Sequence, residues 1–223
     1  VSAAAARKRV GVLISGRGSN MAALIEAART DDFPAGIVLV LSNVPGAGGL
    51  ALAQAAGIAT ATVDHKAFGK DREAFERAVD AELADAGVEI VCLAGFMRLL
   101  TPWLVQRWQG RMINVHPALL PAFKGLDTHE RALEAGVRIH GATVHFVTPG
   151  MDEGPIIAQG AVPVLPGDTA QSLALRVLGV EHRIYPLALR LLAEGRVRMV
   201  DGAARLDLPD AASQSVLISP DQA

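Results

Sequence analysis

Cysteine is nearly missing from this chain of 223 residues, which has only Cys92. One thiol excludes an intrachain disulfide framework and a cysteine-rich zinc site. Cys92 also lies within the apolar run Ile90–Ala94, as a core residue would. Aromatic residues make up only 4%, and Trp103 and Trp108 fit helix-packing positions. No strong charge bias exists either. The formal net charge of -2 argues against duplex nucleic acid as the main partner. It leaves room for a small phosphorylated substrate, which needs only a local site. No apolar run reaches the length of a membrane span, so no membrane partner is expected. The opening alanines precede Arg7, Lys8 and Arg9, the reverse of a secretory signal peptide. The expected setting is therefore a reducing cytoplasm.

What is present is a large apolar fraction, 51% of the residues, enough for the core of one domain. Short apolar runs at Val10–Ile14, Ile37–Leu41, Thr60–Val63, Ile90–Ala94 and Met112–Val115 have strand character. Between them lie helical patterns. Met21, Leu24, Ile25 and Ala28 recur on one face, and Phe75, Val79 and Leu83 on another. Asp71 and Thr101 stand at N-cap positions, and Gly57 and Gly87 at helix ends. This alternation predicts an α/β fold: a Rossmann-like, open, mostly parallel sheet with helices on both faces. Beyond His116 the pattern changes. Ala142–Val147 and Ile156–Val164 read as an antiparallel C-terminal extension of the sheet. A long helix over about residues 169–194 is expected to break near Pro186, followed by a strand at Val197–Val200. The expected organisation is a disordered lead over residues 1–8, a single domain over 9–200 and a loose tail over 201–223.

Two segments carry chemistry. Ser15-Gly16-Arg17-Gly18-Ser19-Asn20 joins the first strand to the first helix. Its glycines permit a tight turn, and the helix that follows offers free N–H groups to an anion. The P-loop lysine and the three-glycine dinucleotide fingerprint are both missing, so a phosphomonoester fits better than a nucleoside triphosphate or NAD. An ordinary capped turn is the alternative. The second segment, Asn114-Val115-His116-Pro117, ends the fifth strand, where open α/β sheets bind ligands. In an extended strand Asn114 and His116 share one side. An amide can hydrogen-bond an oxyanion, an imidazole can move a proton, and a carboxylate such as Asp152 can hold that imidazole in one tautomer. Such a set suits group transfer at a carbonyl carbon without a covalent enzyme intermediate. A turn-forming Asp152, with Glu153 as rival carboxylate, and a His116 tied to backbone remain the structural alternatives. His145, alternating with Val144 and Phe146, reads as packing, and no histidine pair has zinc-hydrolase spacing, so no metal is expected.

Several separated stretches resemble one family. They are Ile14–Asn20, Leu93–Arg98, Ile113–Pro121, His140–Val147, Asp152–Ile156 and Glu181–Pro186, in a resemblance running from about Arg9 to Met199. The chain closely resembles the phosphoribosylglycinamide formyltransferases, folate-dependent enzymes of purine biosynthesis. Methionyl-tRNA formyltransferase and formyltetrahydrofolate hydrolase share the Asn–His–Asp signature but differ in the Gly-Ser-Asn loop or in added domains. The resemblance implies 10-formyltetrahydrofolate as formyl donor, 5'-phosphoribosylglycinamide as acceptor and no metal; a homodimer is left open. It implies catalytic positions at Asn114, His116 and Asp152. Gly18, Ser19 and Asn20 are implied to hold the substrate phosphate, and Glu181 the ribose and glycinamide part. Arg72, Met97, Arg98, Leu99, Leu100, Asn114, Thr148, Pro149, Gly150, Met151 and Asp152 are implied to contact the folate. The phosphate-binding half is thus N-terminal, and the catalytic and folate-binding half C-terminal. Departures from many relatives are Arg17, Lys124, Thr143, Gly179 and Val180.

Overall fold

A computed structural model describes residues 7–207 and Ser219. Seven strands form one sheet in the order β3-β2-β1-β4-β5-β6-β7. The parallel part comprises β1 (Lys8–Ile14), β2 (Ala35–Ser42), β3 (Ala59–Thr62), β4 (Ile90–Leu93) and β5 (Met112–His116). The antiparallel part adds β6 (Ile139–Phe146) and β7 (Ile156–Pro163). A separate hairpin pairs β8 (Val197–Val200) with β9 (Ala203–Leu206). The expected sheet architecture is observed. The ends of the chain differ from expectation: β1 already begins at Lys8, and β9 lies inside the span expected to be tail. The rest of the expected lead and tail lies outside the described residues, Arg7, Asp201, Gly202, Asp207 and Ser219 excepted.

Alternation along the strands divides the core into two layers. Val10, Val12 and Ile14 of β1 and Ile113 and Val115 of β5 pack with α1 (Ser19–Ala27) and α6 (Ala170–Ala193). That layer also holds Ala53 of α2 (Gly48–Ala55) and Ala132 of α5 (Thr128–Glu134). Leu13, Val91, Leu93 and Met112 pack the other way, against α3 (Arg72–Asp85) and α4 (Pro102–Arg107). Period-two alternation therefore sends neighbouring residues of one strand into opposite layers. Asp71 caps α3 as expected, accepting the Ala74 N–H at 2.9 Å. Thr101 does occupy the N-cap of α4, but its side chain makes no cap. Its hydroxyl instead donates to the buried Glu76 carboxylate.

The expected break near Pro186 is not observed. α6 runs unbroken through it, because packing on both sides outweighs the one lost backbone bond. Tyr185, Ala188 and Leu189 are fully buried there. The Tyr185 hydroxyl reaches the Leu93 carbonyl at 2.9 Å and the Ile113 carbonyl at 3.2 Å. It thereby ties α6 to the end of β4 and the start of β5. Tyr185→Phe should lower unfolding stability by about 1–3 kcal/mol, since the buried Leu93 and Ile113 carbonyls lose the one proton they share. Urea titration measures this, with an unchanged far-UV spectrum confirming that the fold persists.

β6 carries a second buried polar element. His140 stacks edge-on with Phe123 and His129, at centroid distances of 5.8 and 5.4 Å. Neither of its ring nitrogens has a hydrogen-bond partner among the described residues. Burial, helped by nearby His129, pushes its pKa down from 6.5 to about 4. The unfolded chain therefore binds a proton at His140 below pH 6.5 that the folded chain refuses until about pH 4. Stability conferred by the neutral ring is complete above pH 6.5 and is lost as pH falls toward 4. Urea midpoints should consequently fall more steeply across that range in the wild type than in His140→Phe.

Candidate active site

The parallel strands end along one edge, and a cleft of about 700 Å³ opens there. Asn114, Val115 and His116, at the end of β5, all line it, and Val115 also joins the core layer shared with α1 and α6. The loop from β6 to β7 returns over this edge and carries Asp152. Asp152 has φ +53°, left-handed backbone that aspartate tolerates better than most residues. Two residues on, a Cβ at Gly154 would lie 1.6 Å from the Phe146 carbonyl oxygen. Only glycine can pass so close to β6, and this fixes the base of the loop.

These elements bring the expected set together. His116 Nδ1 lies 3.4 Å from Asp152 Oδ2. The same carboxylate oxygen accepts the Gly125 N–H at 2.9 Å. On the far side of the imidazole, His116 Nε2 lies 2.9 Å from the Phe123 carbonyl. Both ring nitrogens face oxygen acceptors, so only the doubly protonated ring donates on both sides. Glu153, the rival carboxylate, points away and pairs with Lys124 Nζ at 2.9 Å.

His145 belongs to the site, contrary to its reading as a packing residue. β5 and β6 run antiparallel with Asn114 directly opposite His145. Asn114 Nδ2 lies 3.3 Å from His145 Nε2, and Asp152 Oδ1 lies 3.8 Å from the same nitrogen. His145 Nδ1 donates to the Phe146 carbonyl at 2.8 Å. Burial holds the His145 pKa below its ordinary value, partly offset by that carbonyl and by Asp152. The neutral ring then accepts at Nε2 and orients the Asn114 amide. Alternation along β6 made His145 eligible; only the register with β5 reveals what it touches.

The predicted binding residues divide. Asn20, Met97 through Leu100, Thr148 through Met151 and Glu181 all line the cleft. Asn20 donates to Glu181 Oε2 at 2.5 Å, joining the β1–α1 turn to α6. Burial pushes the Glu181 carboxyl above its ordinary range, and the Asn20 contact opposes the shift. Gly18 and Ser19 lie beside the cleft rather than in its lining. Gly18 is the N-cap of α1, with φ +76°, and no side chain caps that helix. The first-turn N–H groups of α1 accordingly remain available to an anion. Arg72 does not line the cleft either; its guanidinium donates to the Leu99 carbonyl. The segment Gly125–Glu130, absent from the predicted site, forms a further wall.

Cys92 is not a nucleophile here, since complete burial pushes its thiol up to about 12. Among the described residues, no group of three or more His, Cys, Asp or Glu side chains is placed to hold a metal ion. No helix among them is long and apolar enough to cross a membrane.

Similarity to known proteins follows the same residues. A family profile described as formyl transferase matches residues 8–189. The trifunctional purine biosynthetic protein adenosine-3 of Bos taurus is 50% identical over 193 residues, 86% of this chain. The chain spans only 19% of that relative's length. Phosphoribosylglycinamide formyltransferase of Escherichia coli (strain K12) is 46% identical over 196 residues, covering 88% of this chain and 92% of that protein. Among solved structures, glycinamide ribonucleotide transformylase 1 from Symbiobacterium toebii superposes with a TM-score of 0.88 at 45% identity, covering 92% of this chain and 97% of that one. A formyltetrahydrofolate deformylase from Pseudomonas syringae reaches a TM-score of 0.82 at 29% identity, covering 91% of this chain and 66% of that one. Sequence, fold and the convergence at the sheet's carboxyl edge agree: the chain belongs to the formyl transferase family.

Proposed function

We propose that this formyl transferase moves the formyl group of 10-formyltetrahydrofolate onto the primary amine of 5'-phosphoribosylglycinamide, a step of purine biosynthesis. The observation that carries the reading is the meeting of Asn114, His116 and Asp152 in a single cleft. That cleft has exposed apolar walls at Met97, Leu99 and Met151, suited to a pterin and its aromatic linker. It also has the Asn20–Glu181 pair beside the uncapped α1 N-terminus, suited to a phosphorylated amine. Small metabolites as substrates and a lone buried thiol fit a cytoplasmic enzyme.

In this mechanism the amine attacks the formyl carbon and forms a tetrahedral intermediate. The Asn114 amide, aimed by His145, and the His116 imidazolium hydrogen-bond its oxygen. His116 then passes a proton to the departing folate nitrogen, while the amine releases one toward the Asp152 side. His116 Nε2 is engaged by the Phe123 carbonyl, so the substrate must displace that contact to receive the proton. Holding both substrates in one cleft supplies acceleration through orientation. Glu181, buried at 7% exposure, lies where the glycinamide or ribose can replace the Asn20 contact.

A second reading, hydrolysis of the formyl donor by water, draws on the likeness to the Pseudomonas syringae deformylase. Measuring tetrahydrofolate release with and without 5'-phosphoribosylglycinamide separates the two. Release that depends on the acceptor, with formylated product, is expected; equal release without it would establish hydrolysis instead. In the same assay, Asn114→Ala and His116→Ala should each lower kcat by about a hundredfold or more, as expected for a lost oxyanion donor. Near-normal turnover in both would remove these residues from the mechanism.

A further inference from the structure

Ser15 has no part in the mechanism above, yet it touches both halves of the site. It follows the last residue of β1 and immediately precedes the turn Gly16–Gly18 that leads into α1. Its hydroxyl donates to Asn43 Oδ1 at 2.6 Å and accepts the Met97 N–H at 2.8 Å. Its own backbone N–H donates to the Gly95 carbonyl at 3.1 Å. One residue therefore grips the segment after β4 twice, at positions 95 and 97.

That segment needs gripping. Gly95 has φ +72°, and the chain from Gly95 to Leu100 forms no regular element. Met97 and Leu99 are 65% and 63% exposed, so packing on the protein does little to hold them. Arg72 and Glu76, both from α3, restrain Leu99 and Thr101 farther along. Ser15 alone among these anchors directly follows β1 and leads into the phosphate-side turn. Asn43 sets the direction of the Ser15 hydroxyl. It is 2% exposed; its side-chain Nδ2 lies 3.2 Å from His65 Nδ1, and its backbone carbonyl 2.8 Å from the same nitrogen. With the Ser15 proton committed to Asn43, a hydroxyl lone pair is left for Met97.

We propose that Ser15 is a positioning residue for the formyl donor, setting the backbone of the Met97–Leu100 wall from the base of the phosphate-side turn. The proposal rests on the functional reading above, which assigns that wall to the folate. Ser15 touches no substrate and acts through the Met97 amide. Losing one such hydrogen bond is worth about a tenfold change in an equilibrium constant.

The test compares wild type, Ser15→Ala and Ser15→Thr in steady state, varying each substrate separately. In Ser15→Ala, KM for 10-formyltetrahydrofolate should rise about tenfold, while KM for 5'-phosphoribosylglycinamide stays within about twofold of wild type, less than the effect of one lost hydrogen bond. Ser15→Thr, which keeps the hydroxyl, should restore most of the donor affinity. An unchanged donor KM in Ser15→Ala overturns the proposal. So does an equal rise in both KM values with a lowered melting temperature, which marks a merely structural role. If Ser15→Ala does not fold, Asn43→Ala serves instead: it frees the hydroxyl to rotate and should raise the donor KM alone, and no rise overturns the proposal. Wild-type turnover is measured first. Its absence would overturn the functional reading, and Ser15 would then be judged by calorimetric affinity for tetrahydrofolate in the same variants, where equal affinities overturn its role.

Discussion

Reversal of strand direction between β5 and β6 is the constraint on which the rest of the site depends. Parallel pairing from β3 to β5 delivers every strand's carboxyl end to one edge. A further parallel strand would have needed a crossover to reach the next one and could not have formed a hairpin with β7. Because β6 runs backwards, it sets His145 against Asn114, and its own carboxyl end lies alongside the start of β5. The loop to β7 then has to travel over the face of the site, and Asp152 arrives beside His116. Four polar side chains from three chain segments meet through strand register and one glycine, with no dedicated scaffold.

Much of this was legible in the sequence because periodicity is a local property. The strands, most helix boundaries and the antiparallel extension follow from alternation, capping residues and glycines. Asn114 and His116 were legible for the same reason, being two residues apart on a strand that ends at the ligand edge. His145 was not, because its role depends on which residue of β5 it faces, and pairing across strands leaves no mark in local spacing. Pro186 misled for a related reason. Its local rule is to break helices, and the burial of Tyr185, Ala188 and Leu189 overrode it. Thr101 was correctly placed as a cap position, yet its partner, Glu76, comes from the preceding helix.

The site combines groups held firmly with groups held loosely. Asn114 and His145 sit on central strands, and burial keeps the His145 ring neutral so that it can orient the amide. Glu181 is anchored by α6, which Tyr185 ties to the sheet. By contrast, the walls that would meet a large planar ligand are exposed side chains on irregular segments: Met97, Leu99, Leu126 and Met151. Asn114, His116 and His145 thus sit on the rigid strands, Asp152 on a loop pinned at Gly154, and the apolar walls on the adjustable part. This is the division expected where atoms must be placed to within fractions of an ångström but a ligand's bulk can be accommodated.

The close passage of Gly154 beneath the Phe146 carbonyl has a consequence for how this site can diversify. The backbone there has no room to shift, so the loop is fixed at its foot whatever residues precede it. Positions 148–151 line the cleft, and three of them, Thr148, Pro149 and Met151, carry side chains. Changes at those three residues would reshape this wall of the cleft, while the carboxylate two residues before the glycine keeps its place. A fixed foot and a variable wall thus lie within one short stretch of chain.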